Sequence, residues 1–311
     1  MPPLPPAKDV LDALHHAVLP AAGGAALVVC LFALLGRRAA ALGSAVAAVV
    51  GFGWANFTFD AVSWENTGRV IPWKADGPTP VWHWLPRAAL VLVVVGLLSR
   101  GIGLLATHVL PTHRWWGANL LVWSARLAAV VVVSGWLVSE AAATESPWLR
   151  VAFPAVMLLS WVALDGVARY GAGAQVAAYQ SAIFLTAGAI LLYAHSARFM
   201  DLGVIVGCVM FGVAVAAGAA KVDASGAVPA GVGFLPGLML NGRLLTESNV
   251  PVTAFWLVAL APLTLLPFLI PAVARQNRWL VISLRTVLLL APLVVAVVLA
   301  AGHEKLVFEE W

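Results

Sequence analysis

The chain has 311 residues, of which 62% are hydrophobic and only 10% are charged. Its mean hydropathy is +0.95, and soluble domains contain only about 45–50% apolar residues. This composition excludes an ordinary water-soluble globular domain. The formal net charge of +4 is not concentrated in any basic cluster. Nucleic acid is therefore excluded as a partner, and the lipid bilayer is the expected one.

The hydrophobic residues fall in runs of about twenty, the length an α-helix needs to cross a hydrocarbon core roughly 30 Å thick. A transmembrane β-barrel would instead show alternating segments of about ten residues. We therefore predict an all-α, polytopic transmembrane helix bundle of about nine spans, forming one integral membrane domain over residues 1–311. The predicted spans are 16–36, 39–59, 86–107, 117–139, 148–169, 174–197, 202–220, 251–274 and 279–301.

Positive charge hardly distinguishes the two sides of the predicted bundle. Lysine and arginine residues are divided almost evenly between the loops on either side, so the usual cytoplasmic excess gives no orientation. Arg37 and Arg38 follow the first span directly, and the first helix often dominates orientation. On that basis we expect the N-terminus outside, in a bacterial cytoplasmic (inner) membrane.

Residues 54–87 combine aromatic rings with charges that are rare elsewhere in the chain. The stretch holds five of the 14 tryptophans: Trp54, Trp64, Trp73, Trp82 and Trp84. Tryptophan favours the membrane–water boundary because its ring is apolar while its N–H requires a polar partner. We therefore interpret residues 60–85 as a Trp-rich interfacial loop. The alternative is an aromatic shelf, with Asp60, Glu65 and His83, that binds a sugar, a lipid headgroup or a quinone.

A second long connection, residues 221–250, is apolar but rich in glycine and proline. Both residues weaken a helix, glycine through backbone entropy and proline through its missing N–H. The segment is therefore expected to be a Gly/Pro-rich loop, and two paths fit it. Residues 227–241 either re-enter the bilayer, where protein shields the backbone, or lie on the membrane surface.

Ionisable residues at bilayer depth cost about 2.5–3.5 kcal/mol each on insertion scales, so they usually serve a purpose. Arg100 and Arg126 lie deep in predicted spans, and Asp165 is a carboxylate within a span. Arg169, one turn from Asp165, is the expected neutralising partner. The alternative is an ion pair between Asp165 and Arg126 or Arg100 on another helix. Arg285, close to a span start, is expected to extend to the interface.

The sixth predicted span has a polar face formed by Gln175, Tyr179 and Thr186, and Gln180 neighbours that face. Such faces connect helices by hydrogen bonds, and a solute pathway is the alternative. The candidate intramembrane polar cluster therefore consists of Arg100, Arg126, Asp165, Arg169, Tyr179 and Gln180.

Glycines at four- and five-residue steps in the seventh span indicate close backbone packing. They are also the candidate surface for self-association or for a membrane-protein partner. These residues are Gly203, Gly207 and Gly212.

Prolines in the eighth span predict a kinked or broken helix, because each interior proline removes a backbone hydrogen bond. Broken helices form substrate sites in transporters, although kinks also serve simple packing. The prolines are Pro262, Pro267 and Pro271.

Motifs for catalysis, cofactors and metals, such as HExxH, a P-loop or CxxC, are missing from the sequence. We therefore predict no catalytic residue, cofactor or metal site. Three classes of function remain. The costly deep charges favour a transporter- or channel-like protein for a small solute or lipid. The alternatives are a non-catalytic subunit or scaffold of a larger membrane complex and, third, an intramembrane enzyme.

Because lipid is expected to surround most of the chain, the isolated protein should need detergent to remain dispersed. Size-exclusion chromatography with and without detergent measures this requirement. Recovery of a dispersed monomer from detergent-free buffer would contradict the membrane assignment.

Overall fold

The computed structural model describes seven stretches of the chain: residues 18–59, 84–109, 115–138, 146–170, 173–245, 249–274 and 276–309. Their α-helices are α1 (Leu19–Leu34), α2 (Arg37–Phe59), α3 (Trp84–Val109), α4 (Trp115–Leu137), α5 (Leu149–Tyr170), α6 (Gly173–Tyr193), α7 (Ala197–Ala220), α8 (Val228–Leu244), α9 (Val252–Leu260), α10 (Pro271–Ala274) and α11 (Arg278–Glu309). Two 3₁₀ segments are Ser225–Ala227 and Ala261–Leu269. No strand occurs in these stretches, so the all-α prediction is confirmed for them.

Six described segments are long and apolar enough to cross a membrane, which supports a membrane location. They are Gly117–Leu137, Leu149–Arg169, Gly173–Tyr193, Phe199–Ala220, Val252–Leu269 and Arg278–His303. Leu19–Leu34 and Ala39–Gly51 are shorter apolar helices. The predicted count of about nine spans is therefore not confirmed.

Helix α11 buries one stripe of side chains against the protein and exposes apolar side chains on its other faces. Its buried stripe repeats every three or four residues and includes Arg285, Leu289, Leu293, Ala296 and Ala300. Large apolar side chains on its other faces are exposed, among them Val287, Val294 and Val298. An apolar side chain gains from such exposure only where the surroundings are hydrocarbon, so this face is suited to lipid.

Helix α8 lies at the centre of the described bundle, and it corrects the expectation of a loop for residues 228–244 of the segment 221–250. Of its 17 residues, 14 are buried. It packs against α3, α5, α6 and α9, and also contacts α4. Neither a surface path nor an irregular backbone describes this segment, because it is a regular helix enclosed by other helices of the same chain.

The glycines of α8 explain why the segment is helical despite its low intrinsic propensity. A Cβ at Gly231 would lie 2.1 Å from Gln180 Nε2, and one at Gly237 would lie 2.7 Å from Leu85 Cδ2. Pro229 falls in the first turn, where its missing N–H costs no helical hydrogen bond. Close packing on all sides therefore stabilises this helix by more than the low helix propensity of its glycines and prolines destabilises it.

Helix α7 uses its small residues for contacts within the chain. It packs extensively against α6 and α1. A Cβ at Gly203 would lie 2.9 Å from the backbone nitrogen of Gly188 on α6, and one at Gly212 would lie 2.1 Å from the carbonyl oxygen of Ala22 on α1. At Gly207 the neighbour is Leu185. Self-association through these glycines stays a prediction, and a second copy would have to displace these contacts.

The eighth predicted span changes its helix type midway. Helix α9 ends at Leu260, a 3₁₀ segment continues to Leu269, and the short helix α10 begins at Pro271. Pro262 falls in the first turn of the 3₁₀ segment and Pro267 inside it. Ile270 between the two helical pieces is extended, with φ −71° and ψ 118°. Hydrogen bonds in a 3₁₀ segment have poorer geometry than α-helical ones, so this span is less rigid than an uninterrupted helix.

Gly212→Ala tests the packing of α7 against α1. The added methyl group meets backbone rather than a movable side chain, so we expect the free energy of unfolding in detergent micelles to fall by about 1–3 kcal/mol. Gly135→Ala on α4 is the matched control. A Cβ there meets nothing within 4 Å, and the change is expected to be neutral or stabilising by up to about 1 kcal/mol. Equal effects of the two substitutions in thermal unfolding would contradict the close approach.

Candidate functional site

The structure divides the predicted polar cluster into separate sites, and the most buried of them joins α4 to α5. Arg126 Nη1 donates to Asp165 Oδ2 over 2.6 Å. The residues are only 4% and 7% exposed. Since burial removes water from both charges, each ion depends on the other for its stabilisation. The pair therefore fixes the relative position of these two consecutive helices.

Aromatic rings complete the surroundings of Arg126. Its guanidinium carbon lies 4.7 Å from the ring centroid of Trp123 and 4.7 Å from that of Trp161. The negative faces of indole rings attract a cation, and the attraction strengthens where water is excluded. Arg126 is thus held by one carboxylate and two rings.

Arg169 was the expected partner of Asp165, and the structure replaces it with Arg126. The side chain of Arg169 is exposed, whereas that of Asp165 points into the bundle towards α4. The physical reason is that a buried carboxylate needs its counter-charge inside the bundle, where an exposed arginine does not reach.

Arg100 belongs to a different site. Its Nη1 lies 3.6 Å from Oδ2 of Asp223, and the two side chains are 27% and 48% exposed. Asp223 also accepts hydrogen bonds from the backbone N–H of Ser225, at 2.9 Å, and from the Ser225 hydroxyl. The carboxylate therefore organises the turn that leads into α8, and Arg100 connects this turn to α3.

Tyr179 and Gln180 face different neighbours. Gln175 Nε2 donates to the Tyr179 hydroxyl at 2.5 Å, and this hydroxyl lies 3.1 Å from Oγ1 of Thr286 on α11. Gln180 Nε2 donates instead to the carbonyl oxygen of Val228 at the start of α8, at 3.2 Å. The polar face of α6 thus connects this helix to two others.

Arg285 is buried rather than extended to the interface as expected. It is 1% exposed, and its guanidinium carbon lies 5.2 Å from the centroid of the Phe268 ring. Its Nε and Nη2 have no hydrogen-bond partner in the part of the chain described. Packing between α11 and the 3₁₀ segment encloses the side chain before it can reach water.

A cavity of about 400 Å³ lies between α5, α8 and α9. Most of its lining is apolar, including Phe153, Met239 and Ala259, and Arg243 also lines it. Trp148 and Trp256 flank it with ring centroids 5.7 Å apart. The volume falls within the range of small-molecule binding sites, so this cavity is a candidate binding site.

A much smaller cavity, of about 10 Å³, lies deeper between α5, α6 and α8. Its lining includes Ser160 and Gln180, and the Ser160 Oγ and Gln180 Oε1 have no protein hydrogen-bond partner among the described residues. The volume matches that of a single water molecule, which would satisfy both oxygens. This cavity is too small for a solute.

The Trp-rich loop lies mostly outside the described residues, which resume at residue 84, and the side chain of Trp54 is also outside them. Trp64, Trp73 and Trp82 therefore keep their interpretation as a prediction. Trp84 is described: its ring lies 5.8 Å from that of Trp136, and the Arg87 guanidinium carbon lies 4.5 Å from its centroid.

Sequence reasoning did not single out Arg243 or Asn241 as site residues. Both lie in the segment expected to be a loop. Asn241 Nδ2 donates to the carbonyl oxygens of Leu137, at 3.2 Å, and Gly237, at 2.9 Å, which attaches α8 to α4. The signal available was a polar pair, Asn241 and Arg243, directly after a long apolar run. Within the described stretches, no group of three or more His, Cys, Asp or Glu side chains is arranged to hold a metal.

No protein-family profile, curated protein or solved structure shows a significant match to this chain.

Charge exchange tests the pair of Arg126 and Asp165. Arg126→Leu leaves a buried carboxylate uncompensated, so we expect the free energy of unfolding in detergent to fall by about 3–5 kcal/mol. The double variant Arg126→Asp, Asp165→Arg should recover part of that loss. Arg169→Leu is the control, because this arginine is exposed and should have little effect. An unchanged melting temperature for Arg126→Leu would show that the pair does not hold the bundle.

Proposed function

We propose that the chain is a transporter-like membrane protein for a small solute or lipid, and that the cavity between α5, α8 and α9 is its binding site. The observation that supports this most directly is the cavity of about 400 Å³ next to the buried central helix. The cavity is partly open to its surroundings, so a ligand has access to it, and its volume lies in the range of small-molecule sites.

The wall formed by α9 supports movement as well as binding. Val252, Phe255 and Ala259 of α9 line the cavity, and the 3₁₀ segment with Pro262 and Pro267 begins directly after this helix. Discontinuous helices next to a substrate site are a recurrent feature of transporters, in which they rearrange as access alternates. The broken span is thus positioned to change the shape of the cavity.

The other two classes of function, a scaffold subunit and an intramembrane enzyme, agree less well with these observations. A non-catalytic subunit or scaffold would leave the cavity unexplained, although it would account for the tightly packed α7. An intramembrane enzyme would need a nucleophile, a base or a metal facing the cavity. The described lining offers one serine hydroxyl, from Ser146, and no histidine, cysteine or carboxylate.

Alternating access predicts that a deep cavity residue can be reached from both sides of the membrane in turn. Ala259→Cys is introduced into a chain whose native cysteines are replaced (Cys30→Ser, Cys208→Ser). A membrane-impermeant maleimide is then applied to right-side-out and to inside-out vesicles. We expect labelling from both sides, measured by the mass shift of the protein.

Ala296→Cys in the same background is the control. This alanine is fully buried on α11 and does not line the cavity, so it should stay unlabelled from either side. Labelling of Ala259→Cys from one side only would contradict transport and would favour the role of a static subunit.

A further inference from the structure

The lining of the cavity combines a single cation with apolar walls. Among the described residues that line it, Arg243 is the one charged residue, and Ser146 is the one hydroxyl. The Nε of Arg243 is buried and has no hydrogen-bond partner in the described chain. A buried donor without an acceptor is unfavourable unless something else supplies one. The Arg243 side chain is only partly buried, and an oxyanion in the cavity would supply the acceptor that its Nε lacks.

The polar and apolar parts of the cavity lie at different depths. Helix α8 ends at Leu244, while α5 begins at Leu149 and α9 at Val252, and all three of these residues line the cavity. Arg243 is thus level with three helix ends. Ala259 lies seven residues into the bundle from Val252, or roughly 10 Å at 1.5 Å per residue. The cavity therefore has a polar end near the helix termini and an apolar end in the bundle.

Two tryptophans mark the polar end as the level of the membrane surface. Trp148 precedes the first residue of α5 and is 56% exposed. Its ring packs on that of Trp256, with centroids 5.7 Å apart. Indole rings concentrate where lipid headgroups meet hydrocarbon. A molecule whose head reaches Arg243 would place its remaining atoms at the depth of lipid chains.

We propose that this cavity binds an amphiphile with a phosphate or carboxylate head and a hydrocarbon chain. This inference rests on the proposed function, since it names the substrate class of the same site. The head accepts hydrogen bonds from the Arg243 guanidinium, whose planar donor pattern matches an oxyanion. The N-terminal ends of α5 and α9 add favourable partial positive charge. The chain lies along Phe153, Met239 and Ala259.

Other ligand classes fit the lining less well. A neutral apolar molecule leaves the Arg243 Nε without an acceptor. A compact anion without a chain, such as inorganic phosphate, leaves the apolar walls in contact with water. A cationic solute meets the arginine and no compensating carboxylate among the described lining residues. An anionic amphiphile satisfies both halves of the cavity.

The test measures lipid retention by native mass spectrometry of the full chain in a neutral maltoside detergent. Phosphatidylglycerol and a diacylglycerol with identical chains and no phosphate are added in turn, and dodecyl phosphate serves as a water-borne counterpart. We expect phosphatidylglycerol to be retained about tenfold or more over the diacylglycerol, which is the effect of one charge-assisted hydrogen bond to the phosphate. Comparable retention of dodecyl phosphate would indicate that the protein takes its amphiphile from water. Exclusion of dodecyl phosphate would indicate that the protein takes its amphiphile from the bilayer.

Variants connect the selectivity to the cavity. Arg243→Gln should abolish the preference for the anionic lipid, and Arg243→Lys should keep most of it. Arg150→Gln is the matched control, because Arg150 is exposed on α5 and does not line the cavity. Ala259→Trp fills the apolar end and should reduce retention of both lipids.

Equal retention of the two lipids by the unaltered chain would overturn the inference. Selectivity that persists in each of the two single variants, Arg243→Gln and Ala259→Trp, would also overturn it. The proposed function fails on a different measurement. If Ala259→Cys is labelled from one side only while anionic selectivity persists, the lipid site remains and transport is removed.

Discussion

Arg126 and Asp165 show the constraint on which the rest of this structure depends: a charge enclosed by apolar helices must find its stabilising partners within the protein. The two side chains meet at 2.6 Å, and two tryptophan rings enclose the arginine. Removing either partner would leave the other in surroundings that solvate it poorly. The pair therefore determines how α4 and α5 are placed, and α5 in turn forms one wall of the cavity.

The same constraint applies to the polar side chains of the central helix, α8. Helix α8 is buried over most of its length, so its polar side chains also need partners inside the bundle. Asn241 finds carbonyl oxygens on α4 and on α8 itself, and the start of α8 receives a hydrogen bond from Gln180. Arg243 differs, since it faces a cavity rather than a counter-charge. Its Nε has no hydrogen-bond partner among the described residues, and the proposed ligand head would supply one.

Individual predicted residues show where sequence reasoning reached its limit. Helical spacing correctly placed Gln175 and Tyr179 together, since both lie on one face of the same helix. It favoured Arg169 as the partner of Asp165 for the same local reason, but the pair is formed across helices. Arg100, also considered as a partner, meets Asp223 in a turn. Spacing along one helix predicts neighbours on that helix and carries no information about which helices become adjacent.

The sequence by itself determined the helical class, the apolar character and the rarity of buried charges, because these follow from composition and from runs of about twenty residues. Only the tertiary structure decided that the Gly/Pro-rich segment is the central helix, that Arg126 is the partner of Asp165, and that Arg243 lines a cavity. The physical reason is that these features depend on which helices pack together and on how closely they approach. Glycine, which weakens an isolated helix, is what permits that approach in α8.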